Sequence, residues 1–200
     1  MKLLFNPASP FARKVRIAIL EKGLREAIAL EVAQPWPEPT AIVPFNPLGK
    51  IPVLLLDDGS ALYDSPVICE YLESLTPASR LIPSGGAERF RTLRLQALAD
   101  GMLDAAVNIV LERRRPAEQQ SAMMMQRAVA ALRRSLAVLT GELTEPERGL
   151  DIGQIAAGCV LGYLDFRLAD LGLVTDKGML DWWEHTRRRP SFLATEPPLA

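Results

Sequence analysis

The chain has 200 residues, a formal net charge of -1, 48% hydrophobic and 24% charged residues, which suits one large soluble domain or two small ones with a real core. Near-neutral charge and the absence of a long Lys/Arg run give no reason to expect a nucleic-acid partner. No apolar run approaches the roughly 18 residues that span a bilayer, and Met1-Lys2 leads into the first strand without a signal-peptide pattern, so a cytoplasmic protein with no membrane partner is expected.

Residues 2–6 read as a strand ended by Asn6-Pro7-Ala8. Ser9-Pro10 then opens a helix over 10–23: Ser is a favoured N-cap, Pro fits the first helical position, and Gly23 is a natural residue to follow the last turn. Val15, Ile17, Ala18 and Ile19 give this helix an apolar side; Arg13, Lys14 and Arg16 give it a charged one. A second strand is expected over 27–32, then a Pro-rich loop with room for a short irregular helix around 38–44. A third strand runs from Val53, Asp57-Asp58-Gly59-Ser60 signals a hairpin turn, and Ala61-Leu62-Tyr63 begins the returning strand. Asp64-Ser65-Pro66 opens another helix, with Val67, Ile68, Tyr71, Leu72 and Leu75 at helical spacing.

Residues 76–87 read as a linker, and no strand pattern follows it. A long helix is expected over 88–114, another from Pro116 to about Leu143, then a loop from Thr144 to Leu150. Asp151-Ile152-Gly153-Gln154 fits a capping box opening an apolar helix from Ile155 to Leu171. A last helix spans 177–188, and the tail from Pro190 to Ala200 reads as non-helical. The division is therefore an α/β domain at 1–75, a linker at 76–87 and an all-helical domain at 88–200. Arg113-Arg114-Arg115 and Arg187-Arg188-Arg189 sit near helix C-termini, where cations complement the dipole. Cys69 and Cys159 lie far apart, outside any C-x-x-C, and fit buried thiols in a reducing compartment. His185, the sole histidine, has no second histidine or cysteine near it in sequence, so neither a metal site nor a triad is expected there.

A strand running into a helix N-terminus is a place where anions or thiolates bind, because free N–H groups and the helix dipole point at it. The chain has two such Ser-Pro openings, and no Gly-rich loop that would favour a phosphate accompanies either. With the stretches Ser9-Pro10-Phe11-Ala12-Arg13-Lys14-Val15-Arg16, Asn46-Pro47-Leu48-Gly49-Lys50-Ile51-Pro52-Val53-Leu54 and Asp64-Ser65-Pro66-Val67-Ile68-Cys69-Glu70-Tyr71-Leu72, the chain resembles the cytosolic glutathione S-transferases. Ala99-Asp100-Gly101-Met102, Gly162 to Arg167 and Glu196-Pro197-Pro198 make it most similar to a bacterial group typified by YibF. The resemblance implies a thioredoxin-like α/β domain followed by an all-α domain, the GST fold, and a homodimer.

It also implies the site. Ser9 would donate its hydroxyl hydrogen to the glutathione sulfur, since the thiolate is the reactive form; the alternative is a helix cap alone. Ser65 would meet the γ-glutamyl carboxylate and Asp64 the amine, with simple capping as the alternative. Pro52 matches the cis-proline of thioredoxin-like folds, so that Ile51 offers its backbone to the cysteinyl part, and Lys50 either neutralises the glycyl carboxylate or is a solvated loop lysine. Asp100, Asp104 and Asn108 share one face of the long helix; an acid there, Asp100 or Asp104, can reach a partner subunit's glutathione amine. Met102 and Val107 would line the second-substrate pocket or belong to the core.

The implied activity is a glutathione transferase that attacks a small electrophile or a peroxide, with glutathione as co-substrate and no metal. Ser at position 9, not Cys, counts against the family's disulfide-reducing branches. A non-catalytic docking module and a zeta-type isomerase remain open; the trio of Ser9, Ile51-Pro52 and Asp64-Ser65 argues against the first.

Overall fold

Strand β1 (Lys2–Phe5) carries Leu3, Leu4 and Phe5, all buried, and such an apolar run suits an interior strand. In the computed structural model, which describes residues 1–78, 80–143 and 149–198, β1 lies between β2 (Ala29–Val32) and β3 (Val53–Leu55), and β4 (Ala61–Leu62) closes the 4-stranded sheet in the order β2-β1-β3-β4. β1 and β2 are parallel, with Leu3 opposite Leu30. The other pairs are antiparallel, with Leu3 opposite Leu54 and Leu54 opposite Leu62. A parallel pair needs a crossover, and helix α1 (Pro10–Glu21) is part of it. A 3-10 turn at Arg25–Ala27 takes the first residue of the expected second strand, which starts instead at Ala29. Around 38–44 the expected short helix is replaced by successive turns: the Ile42 and Val43 N–H groups donate to the Pro39 carbonyl, and those of Phe45 and Asn46 to Ile42.

Helix α1 ends as its sequence predicts. Gly23 has φ +67°, its N–H donates to the Leu20 carbonyl and that of Leu24 to Ile19, the paired bonds of a Schellman motif. Lys22, fully buried, sends its ammonium to Glu73 Oε2 at 3.1 Å and to the Thr76 carbonyl at 2.8 Å. It thereby fastens the end of α1 to the end of α2 (Ser65–Leu75). The charged side of α1 does not face water: Arg13 and Lys14 are buried and Arg16 is half-buried.

What covers Arg13 is the C-terminal segment. The tail, expected to be non-helical, contains a short helix, α7 (Pro190–Leu193). Pro190 suits a first helical position. The Arg13 guanidinium donates to the Phe192 carbonyl at 3.2 Å, and Arg16 donates to the carbonyls of Ala194 and Thr195 at 3.3 and 3.5 Å. These groups satisfy carbonyls that a short helix leaves open at its end. Ser191 Oγ donates to Glu21 at 2.5 Å. The chain accordingly divides into a unit of residues 1–84 with the segment from Pro190 onward, and a second unit, Gly85–Arg189, whereas the sequence places that last segment with 88–200.

The second unit is helical: α3 (Gly86–Arg113), α4 (Ala122–Thr140), α5 (Ile152–Leu168) and α6 (Lys177–Thr186). The helix expected from Pro116 starts later. A 3-10 turn, Ala117–Gln119, comes first, and Ser121 caps α4 by accepting from the Met124 N–H while its own N–H donates to Glu112 at 2.7 Å. The apolar helix α5 is buried continuously from Ile152 to Leu164. Its predicted cap is present: Asp151 Oδ1 accepts from the Gln154 N–H and Oδ2 from the Thr92 hydroxyl, both at 2.8 Å. Gly153 permits α3 to come close, since a Cβ there would lie 2.8 Å from the Thr92 carbonyl oxygen. The last expected turn of α5 is a separate 3-10 turn, Ala169–Leu171. Of the loop expected over 144–150, residues 144–148 lie outside the described residues. Among the described residues no helix is long and apolar enough to cross a membrane.

Candidate active site

The turn between β1 and α1 is built by Asn6. Its side-chain oxygen accepts from the Ala8 N–H, its amide donates to Gln34, both at 2.9 Å, and its carbonyl accepts from the Ser9 N–H at 3.0 Å. That sets Ser9 in extended conformation at the N-cap of α1, half-buried, with Pro10 at the first helical position. Ser9 Oγ accepts from the Ala12 N–H at 3.2 Å. Capping uses an oxygen lone pair, and no acceptor for the hydroxyl hydrogen is found among the described residues. The cap therefore leaves the hydroxyl hydrogen uncommitted.

The loop ahead of β3 is organised by Asn46, which is buried. Its amide donates to the Lys50 carbonyl at 2.9 Å, its side-chain oxygen accepts from the Leu48 N–H and its carbonyl from the Gly49 N–H. Gly49 has φ +63°, and a Cβ there would meet Pro39 Cγ at 2.8 Å. Asn-Pro ahead of a glycine was the available signal, since Asn favours side-chain-to-backbone turns. The loop leaves Lys50 exposed and Ile51 half-buried, and the Ile51-Pro52 bond is cis, as are Trp36-Pro37 and Tyr63-Asp64.

At the second Ser-Pro step Asp64 takes the N-cap position without a side-chain capping bond, so Ser65 is the first residue of α2 and Pro66 the second. Asp64 is exposed and Ser65 is 1% exposed. The Asp64 carbonyl accepts from Ile68. The N–H groups of Ser65 and Val67 precede the first intrahelical donor, so this is a helix start able to receive a carboxylate.

On α3, Asp100 is half-buried and Asp104 exposed, with Asn108 exposed on the same face. Met102 is 2% exposed. His185 is exposed. Among the described residues no group of three or more His, Cys, Asp or Glu could hold a metal ion.

A mixed sheet with a cis-proline ahead of β3, followed in sequence by an all-helical unit, defines a thioredoxin-like domain joined to a helical domain. Residues 8–75 match the family model described as Glutathione S-transferase, N-terminal domain. The whole chain is 39% identical to the whole of the uncharacterized GST-like protein YibF of Escherichia coli K12, over 204 aligned positions. A glutathione transferase family member from Pseudomonas fluorescens Pf-5, solved with bound glutathione, superposes with a TM-score of 0.93 at 42% identity over 98% of each chain. The same bacterium's family member was also solved with S-(propanoic acid)-glutathione, with a TM-score of 0.88 over 99% of this chain and 100% of that one. A maleylacetoacetate isomerase from Pseudomonas aeruginosa is 35% identical over 49% of this chain and 48% of its own. The chain belongs to the glutathione S-transferase family.

Proposed function

We propose that the chain is a glutathione-dependent transferase in which Ser9 stabilises the glutathione thiolate. The observation that carries this reading is the Ser9 hydroxyl, whose oxygen is fixed by the Ala12 N–H at 3.2 Å while its hydrogen is left to donate. A thiol is mostly protonated at neutral pH. A held donor at a helix N-terminus lowers the cost of the thiolate, whose proton leaves to solvent before sulfur attacks the electrophile. Ser65 and Asp64 receive the γ-glutamyl carboxylate and amine, and Ile51 pairs with the cysteinyl backbone in the manner of an added strand. Lys50 neutralises the glycyl carboxylate, and Asp100 or Asp104 reaches a second subunit's ligand in a homodimer, which size-exclusion chromatography tests.

The Pseudomonas fluorescens relative's ligand, glutathione bearing propanoic acid on sulfur, supports a small electrophile as the partner. Half of the chain resembles an isomerase, and that reaction needs the same thiolate; product analysis separates the two. Calorimetry with glutathione, with Ser65→Ala as control, tests the reading. Heat of binding that saturates at millimolar ligand or below is expected, and no binding in that range sinks it. A transferase assay on Ser9→Ala follows: unchanged turnover would reduce Ser9 to a cap.

A further inference from the structure

We propose that Arg13 is a positioning residue, which with Thr195 ties the C-terminal segment to the first turn of α1 and so holds the Ser9 hydroxyl on its target. The inference rests on the transferase reading above. Arg13 is buried to 6% exposure, and it touches both sides of the link. Its backbone N–H donates to the Ser9 carbonyl at 2.9 Å, the first bond of the helix. Its guanidinium donates to the Phe192 carbonyl at 3.2 Å, approaches Thr195 Oγ1 at 3.5 Å and lies 5.6 Å from the centre of the Phe192 ring.

Thr195 is 1% exposed, and its hydroxyl donates back to the Ser191 carbonyl at 2.8 Å, so it closes the short helix on itself and presents an oxygen to Arg13. Arg16, one turn nearer the middle of α1, repeats the pattern with the Ala194 and Thr195 carbonyls, and its guanidinium sits 4.8 Å from the centre of the Phe5 ring on β1. Glu21, at the end of α1, accepts from the Ser191 hydroxyl at 2.5 Å.

Three successive positions along α1 thus hold one segment, and the first of them is bonded to Ser9 itself. A guanidinium acts here as a rigid fork whose donors have fixed directions. An error of about 1 Å in the placement of a catalytic donor costs rate out of proportion to its cost in stability.

The experiment uses the full chain with glutathione bound. The pH at which the bound thiol ionises is read from the ultraviolet absorbance of the thiolate, beside glutathione affinity and the melting temperature. Thr195→Val and Arg13→Gln are expected to raise that pH and to lower thiolate several-fold at a fixed pH below it, with a smaller change in affinity. Thr195→Ser, which keeps the hydroxyl, titrates as wild type. A Thr195→Val protein that titrates as wild type overturns the proposal, as does an equal shift in Thr195→Val and Thr195→Ser. If Arg13→Gln does not fold, the Thr195 pair decides alone. A wild-type complex whose thiol ionises as free glutathione does, unmoved by Ser9→Ala, overturns the transferase reading and this role with it. A lowered, Ser9-dependent ionisation that Thr195→Val leaves in place overturns only the role of the C-terminal segment.

Discussion

The two Ser-Pro steps of the first unit are alike in sequence and built one residue out of register with each other. At the first, Ser9 stands outside the helix, caps it through its oxygen and leaves Pro10 at the first helical position. At the second, Asp64 stands outside and makes no side-chain cap, while Ser65 is drawn into the helix and buried. The first arrangement yields a fixed hydroxyl with a spare hydrogen, suited to a sulfur anion. The second yields an uncapped helix start with free N–H groups and a hydroxyl beside them, suited to a carboxylate. On the proposed reading, that shift of one residue separates a donor for chemistry from a socket for binding.

The largest expected effect breaks the first junction without unfolding it. Ser9→Asp keeps an N-cap acceptor for the Ala12 N–H but supplies no hydrogen and adds a negative charge beside the thiolate. Turnover should fall about 100-fold or more, the scale of losing one preorganised donor, with the melting temperature unchanged. Next comes Ser65→Ala, expected to raise the glutathione dissociation constant about 10- to 100-fold in calorimetry, the range for a hydrogen bond to a charged group. A smaller effect separates the two as structural elements. Ser9→Ala removes a cap worth about 1 kcal/mol and should lower the melting temperature by about 2–4 °C in a chain of this size. Ser65→Ala, with no cap to lose, should lower the melting temperature less than Ser9→Ala does.

The smallest effect lies in the helical unit, outside both junctions. Hydrogen bonds from Arg94, helped by Arg91 and opposed by partial burial, hold the Glu142 carboxyl below its ordinary value of 4.5. A depressed carboxyl adds stability above its unfolded value and loses it as pH falls through the folded one. Glu142→Gln should therefore flatten the decline of the melting temperature below pH about 4.5, and leave glutathione binding at neutral pH unchanged.

Most of the first unit was legible because its signals are local. Leu3-Leu4-Phe5, the Ser-Pro step and Gly23 each act within one turn of chain, and the structure keeps all of them. The Asp151 cap was legible for the same reason. What escaped depends on partners distant in sequence. Helix α7 is too short to show a period, and the groups that complete it, Arg13, Arg16 and Glu21, lie about 170 to 180 residues away. Read alone, those arginines are a charged helix face; only the segment that covers them explains their burial. The late start of α4 follows from Ser121 finding Glu112 across a turn, a choice that helical spacing after Pro116 does not show. At the candidate site, Ser9, Ile51-Pro52 and Asp64-Ser65 stood out as sequence motifs, whereas Asn6 and Asn46 are marked in sequence only as Asn-Pro turn signals, and the bonds by which they set the two loops show only in the fold.

Because the segment from Pro190 belongs with residues 1–84, the helical unit is an insertion in the first unit's chain. Domains emerging from a ribosome fold as units, the N-terminal one first. Here the first unit leaves the ribosome with its strands and α1 made but with Arg13 and Arg16 still waiting for their acceptors. Translation of the whole intervening unit must finish before they arrive. The sheet can form early, but α1 gains these contacts only once the segment from Pro190 has been made, and a chain cut before Pro190 lacks the Phe192 and Ala194 carbonyls that Arg13 and Arg16 meet.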